Sequence, residues 1–280
     1  MYEPHFRLRP LPFAETVDPS SYVPLPSRDT ALRRLRFGLE RGPGAVLLTG
    51  PSGSGKSLLA RVLADAMADQ GPSTFVTFPA LPADEMLSWL ADEMTPLSSG
   101  PSSRGPSSSL RRIQTTLTDA SGRGQVPLLV IDEAHLITDA ATFESLRLLL
   151  NITAASGRPA LRLVLIGNPD LAFQVPPALA DRLSARCQLG PLDEPETAAY
   201  VRGRLAAASE SAPADEAPAL LFAPDALRAL HLAADGLPRR LNRLADLALL
   251  ITYARDQPAP GPDTITLATR EADLEPVALA

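Results

Sequence analysis

The chain has 280 residues, 45% of them apolar and 21% charged. That is room for one α/β domain with a smaller satellite, and the balance excludes a collagen-like or wholly disordered polymer. A net charge of −6 withholds the broad basic surface of a constitutive nucleic-acid binder, and the single cysteine, Cys187, excludes an internal disulfide or a cysteine-rich metal site. No apolar stretch approaches the roughly 20 residues that span a bilayer, and the first residues do not form a secretory signal. The expected location is the cytoplasm, with any recruitment to the inner membrane made through a partner.

Residues 1–26 are proline-rich with Tyr2, Phe6, Phe13 and Tyr22 among them, the pattern of an extended arm lying on a domain close to its ligand. Ser27 is expected to cap a helix that carries Leu32, Leu35 and Leu39 and stops at Gly42. The apolar run from Ala45 to Thr49 reads as a buried strand, and it leads into Gly50, Pro51, Ser52, Gly53, Ser54, Gly55, Lys56 and Ser57. This is a Gly-x-x-x-x-Gly-Lys-Ser phosphate loop, whose glycines let backbone N–H groups approach phosphate oxygens. Lys56 is expected to reach the β and γ phosphates of ATP and Ser57 to hold Mg²⁺, with the following helix directing its positive end at the anion. Leu58, Leu59, Val62, Leu63 and Ala66 give that helix its apolar face.

A second strand is expected at residues 74–78, then a helix through Met86, Leu87, Leu90 and Met94. Residues 98–109 have nothing apolar to bury and read as a flexible loop, with a helix resuming at about Leu110. The uninterrupted run Leu128, Leu129, Val130, Ile131 has the character of a strand covered on both faces and ends in Asp132 and Glu133. A carboxylate there can hold Mg²⁺ and its neighbour can deprotonate water, so Asp132 is assigned to metal and Glu133 to the base. Asn168 follows a fourth strand, 161–166, where an amide can position that water. Arg182 and Arg186, four apart, are expected on one helix face, serving a neighbouring subunit's nucleotide as an arginine finger.

Beyond Leu192 the pattern is helical at 193–211, 224–234 and 238–255, with a polar loop at 212–218. In Gly236, Leu237, Pro238, Arg239 the proline can occupy a first helical turn and project Arg239 toward phosphate. The expected organisation is an arm (1–26), an α/β nucleotide-binding domain (27–192), a helical lid (193–257) and a tail (258–280). The local string Asp132, Glu133, Ala134, His135 matches a helicase motif, but the chain lacks a second strand set; His135 is read as a polar residue of the site or of a helix start, with no metal role.

This order of motifs resembles the AAA+ ATPases. The opening Met-Tyr-Glu-Pro-His-Phe-Arg-Leu, Leu-Arg-Leu-Leu-Leu-Asn at 146–151, Leu-Gly-Pro-Leu at 189–192, Glu-Thr-Ala-Ala-Tyr-Val at 196–201 and Gly-Leu-Pro-Arg at 236–239 look like the general secretion pathway protein A family. The resemblance implies a P-loop NTPase with a doubly wound parallel five-stranded sheet and a helical lid, working as an Mg²⁺-dependent ATPase in a homo-oligomer. Lys56 and Ser57 would be the Walker A pair, Asp132 and Glu133 the Walker B pair, Asn168 sensor 1, Arg239 sensor 2, and Arg182 or Arg186 the finger. Departures are Arg7 where the family often has glycine, and His135 and Asn168 where it often has glutamine. Secretion members continue into a transmembrane helix and a wall-binding region, so a stand-alone ATPase domain is expected here, acting on a protein client in secretion, pilus or polysaccharide-export assembly. The alternative reading is an ATP-dependent DNA-binding transposition regulator, with Arg33, Arg34, Arg36, Arg111 and Arg112 as a local basic track.

Overall fold

The computed structural model describes residues 1–9, 11–95, 105–154, 157–209 and 221–273. The chain divides into two compact units: a sheet unit, Thr30–Ser52 with Lys56–Leu189, and a helical unit, Met1–Asp29 with Gly53–Gly55 and Gly190–Ala280.

The sheet unit is built on β1 (Ala45–Thr49), β2 (Ser73–Val76), β3 (Leu128–Ile131), β4 (Arg162–Gly167) and β5 (Leu183–Gln188). All pair in parallel, in the order β2-β3-β4-β1-β5. The three inner strands are buried almost throughout, whereas the edge strands β2 and β5 are partly open to solvent. That contrast is why the inner strands are continuous apolar runs, since a strand covered by helices on both faces has no side that profits from polarity. The connecting helices are α2 (Lys56–Asp65), α3 (Ala83–Met94), α4 (Pro106–Gly122), α5 (Ala140–Leu149) and the short α6 (Leu171–Gln174) and α7 (Pro177–Ala180). Their Leu90, Ile113, Leu117 and Leu146 close over Leu129, Ile131, Leu163 and Leu165. The helix α1 (Pro26–Arg41) precedes β1.

Several expectations are corrected. The second strand ends at Val76, and Phe78 is 65% exposed, so its aromatic character does not extend the sheet. Residues 98–104 lie outside the described residues, but residues 106–109 of the expected loop are helix: Pro106 opens α4, Ser108 Oγ donates to Gly105 O at 2.8 Å, and Ser109 is buried. Arg186 lies on strand β5 and Arg182 just before it, not on a helix. A spacing of four returns to the same face in a strand as well as in a helix, so the arginine pair could not discriminate between the two periods. Ser27 stands inside the first turn of α1, which starts at Pro26, so it is not the cap.

The helical unit contains α8 (Glu194–Ala208), α9 (Pro224–Ala234), α10 (Pro238–Ala254) and α11 (Pro262–Asp273). Asp193 caps α8, its Oδ1 accepting from Glu196 N at 2.7 Å. The expected tail thus holds a helix, α11, which buries Ile265 and Ala268 in the unit's core; residues 212–218 lie outside the described residues. The N-terminal arm is not simply extended. It makes a tight turn through residues 3–7 and a 3-10 turn at Pro19–Ser21, and sinks Tyr2, Phe6, Leu8 and Phe13 among Tyr200, Val201, Leu205 and Phe222. Arg204 fastens it: Nε donates to Pro12 O at 3.0 Å and Nη2 to Ala14 O at 2.9 Å. Among the described residues, no helix is long and apolar enough to cross a membrane.

Candidate phosphate-binding site

The loop begins where β1 ends. Gly50 N donates to Gly167 O at 3.3 Å, which ties the loop's first residue to the end of the neighbouring β4. Lys56 opens α2 and is 7% exposed, with Nζ donating to Gly50 O and Pro51 O at 2.9 Å each. The loop is therefore wrapped round an ammonium, with Pro51, Ser52 and Ser57 more accessible than Lys56 and with Leu58 in the first turn of the helix. Gly55 has φ +91°, and a Cβ placed there would meet nothing within 4 Å. Packing does not demand that glycine; the left-handed backbone does, and the open space beside it leaves room for a close ligand. Ser54 Oγ is buried without a hydrogen-bond partner among the described residues. Backbone amides at a helix start, an ammonium and the Ser57 hydroxyl form a donor set suited to a polyanion, so these residues fit a nucleotide's phosphates with Mg²⁺.

The carboxylates lie at the same end of the sheet. Ile131 registers with Leu165, and Leu165 with Leu47, so Asp132 emerges at the level of Ile166 and Leu48, one strand beyond β4. Its backbone N–H donates to Val76 O at 2.8 Å, and its Oδ1 accepts from Glu133 N at 2.9 Å. Glu133 has φ 51°, a left-handed conformation costing a non-glycine residue on the order of 1 kcal/mol or more, and such strain gathers at functional positions. Its carboxylate is half-exposed, with Oε2 3.3 Å from His135 Nδ1, in the 3-10 turn Ala134–Leu136. That nitrogen is buried and lacks an aligned hydrogen bond. Asn168 follows Gly167, and its Oδ1 accepts from Leu171 N at 3.3 Å; the side-chain oxygen thus braces α6, leaving the amide NH₂ as the remaining donor.

The two arginines stand apart from this cluster. Leu183 registers with Ala45, the first residue of β1, so Arg182 lies at the opposite end of the sheet from the loop, about 17 Å away along five strand residues. Its Nη2 donates to Asn151 Oδ1 at 2.7 Å. Arg186 registers with Leu47 on the outermost strand, with Nη2 3.4 Å from Ala180 O. Arg182 at least cannot serve its own chain's loop.

Within the helical unit, Arg239 is set by Gly236, whose φ is +64° and where a Cβ would fall 2.2 Å from Leu192 O. That contact permits only glycine, and it fixes the entry to α10. Arg239 N then donates to Gly53 O at 3.2 Å, and its Nε lies 3.3 Å from Glu15 Oε2. A Cβ on Gly53 would stand 2.8 Å from Arg239 Cβ, so this glycine is demanded by packing. Two participants escaped the sequence reading: Glu15, hidden in the proline-rich arm, and Arg28, buried in the first turn of α1. Neither belongs to a motif, and a buried arginine near a helix start leaves no periodic signature.

The chain is similar to known proteins along most of its length. The family model described as an AAA domain matches residues 39–175. General secretion pathway protein A of Aeromonas hydrophila is 32% identical over 261 residues, 91% of this chain, and the chain spans 45% of that protein's length. Among solved structures, the ORC2 protein of Aeropyrum pernix in its ADPNP-ADP complexes superposes with a TM-score of 0.65 at 16% identity, covering 97% of this chain and 75% of that one. Cdc6p of Pyrobaculum aerophilum gives 0.69 at 18%, covering 93% and 70%. The RuvB Holliday junction branch migration motor of Thermotoga maritima gives 0.59 at 18%, covering 90% and 71%. At such identities the structural likeness speaks for the fold, that of P-loop AAA+ proteins, while the relative supplies the narrower kinship. The chain thus carries an AAA domain match over residues 39–175 and is related along most of its length to general secretion pathway protein A.

Proposed function

We propose that this protein binds ATP with Mg²⁺ and hydrolyses it, as an oligomeric motor or switch acting on a protein partner. The observation that carries the reading is the adjacency of the phosphate loop and the Asp132–Glu133 pair at the C-terminal ends of β1 and β3, on either side of β4. Lys56 would exchange its loop carbonyls for phosphate oxygens, and Ser57 and Asp132 would hold Mg²⁺, which neutralises charge on the terminal phosphates when bound. Glu133 Oε accepts the proton of the attacking water, and the Asn168 amide NH₂ fixes where that water stands. Arg239, against Gly53 in the helical unit, is the candidate reader of nucleotide state. Arg182 or Arg186 is the candidate finger for a neighbouring subunit. The related protein's name points to secretion as the setting, with the client supplying any contact with the inner membrane.

Calorimetry with ATP, with and without Mg²⁺, tests the base of this reading, which fails if the protein shows no Mg²⁺-dependent affinity. Glu133→Gln should keep ATP binding and lose turnover by about 10² or more, whereas Lys56→Ala should weaken binding itself. Turnover per subunit should climb with protein concentration; a flat profile removes the trans-acting arginine.

One observation favours a second reading. Arg33, Arg34, Phe37 and Arg186 line a groove of about 610 Å³, and Phe37 is 66% exposed. Cations round an exposed aromatic ring are the elements of a nucleic-acid track, and the Aeropyrum pernix ORC1 protein was solved in complex with DNA. An ATP-dependent mobility shift that weakens steeply with salt, and is lost in Arg33→Glu, would favour it.

A further inference from the structure

Arg28 is the least expected charge in the helical unit. It lies in the first turn of α1, where the helix dipole disfavours a cation, yet it is 6% exposed. Glu196 raises its basicity electrostatically but makes no ion pair with it. That carboxylate is taken up by Ser27, accepting from its N–H and its Oγ–H at 2.8 Å each. Burial pulls the guanidinium below its ordinary value. Its donors go instead to neutral oxygens: Gly190 O at 2.8 Å, Ser27 Oγ at 3.3 Å and Ser54 O at 3.5 Å. A desolvated cation without an acid is a costly arrangement.

Its loop contact is informative. In a trans peptide the carbonyl and the following N–H point in opposite directions. Arg28 draws on the carbonyl of Ser54, which turns Gly55 N–H the other way; Arg239 N draws on the carbonyl of Gly53, which does the same for Ser54 N–H. Two successive amides are thereby aimed away from the groups that hold their peptides, beside the open space at Gly55. Successive N–H groups so aligned make an anion-binding concavity.

We propose that Arg28 is a positioning residue for phosphate recognition: it orients the Ser54–Gly55 peptide for an oxyanion and supplies a buried positive charge behind the loop. The inference rests on the ATPase reading and adds a residue that no loop motif contains. It concerns binding rather than chemistry, since the hydrogen bonds of Arg28 run to Ser27, Ser54 and Gly190.

The test is steady-state ATP hydrolysis by the full chain carrying Arg28→Met or Arg28→Lys. The expected result is a KM for ATP raised about tenfold in Arg28→Met and less in Arg28→Lys, with kcat held within about threefold, because uniform binding is what is lost. A merely structural role would lower the active fraction, and so the apparent kcat, at unchanged KM; that outcome overturns the proposal. Should Arg28→Met not fold, Arg28→Lys and the wild-type protein carry the test. In wild type the Arg28 Nε–H NMR resonance should move on addition of ADP, and an unmoved resonance in protein that binds ADP also overturns it. If wild type neither binds ADP nor hydrolyses ATP, the ATPase reading fails and this inference falls with it.

Discussion

The two units solve the burial problem in opposite ways. In the sheet unit the buried residues are nearly all apolar, and its one buried charge among the described residues is Lys56, in the candidate site. The helical unit buries Arg28, Glu196 and Arg204 together with Asn242 and Thr197, each holding a partner from a distant segment. The difference follows from assembly. A parallel sheet closes its own backbone hydrogen bonds and specifies its register by which residues are apolar. Helices and an irregular arm leave loop carbonyls open, and directed polar contacts are what select one docking from many.

That comparison can be broken at its strongest points. Leu163 is fully buried on β4 between Ala45 and Leu129, and Leu163→Ala should cost about 3 kcal/mol, read as a fall in the denaturant midpoint without local unfolding elsewhere. Arg204→Ala should cost about 2 kcal/mol, because it removes a guanidinium from two carbonyls that stay behind. Its signature should be regional: faster amide exchange and easier proteolysis across residues 1–15, with the sheet unit's exchange unchanged. Uniform loosening of both units would mean that the arm is not a separately fastened piece.

The same difference governs what was legible in the sequence. Strands β1, β3 and β4 announce themselves because burial on both faces forces unbroken apolar runs, and the phosphate loop and Asp132–Glu133 are read because each is contiguous with such a run. The edge strand β5 was read as helix since Arg182 and Arg186 satisfy either period and solvent on one side breaks the apolar run. The start of α4 is hidden by serines that could as well be loop, and α11 by a stretch whose buried face, among the described residues, is Thr264, Ile265 and Ala268. Arg28 and the contact of Glu15 with Arg239 were illegible because they join segments far apart in sequence, and pairwise contacts of that kind have no local pattern.

A finer test asks whether single hydrogen bonds in the helical core carry the selection argued for them. Tyr200 OH donates to Asn242 Oδ1 at 2.8 Å inside that core. Tyr200→Phe leaves the amide oxygen buried without its donor, so the loss should be about 1 kcal/mol despite nearly unchanged volume. A neutral result in chemical denaturation would show that packing alone fixes α8 against α10.

The smallest effect is expected at Tyr2, whose hydroxyl donates to Asp246 and joins the arm to α10. Burial, then that bond and the negative charge of Asp246, push the phenol well above its usual range. A raised folded value means that the neutral phenol is favoured in the native state. The contribution is therefore complete below the unfolded value, about pH 10, and is lost as pH rises beyond it. At neutral pH Tyr2→Phe should lower stability by less than about 1 kcal/mol. Above pH 10 the wild type should lose stability that the variant does not, so the gap between their denaturant midpoints should narrow. The other tyrosines cancel in that difference. A gap that stays constant from pH 8 to about pH 11 would mean the hydroxyl is free in solution and the arm is held by Phe6, Leu8 and Phe13 alone.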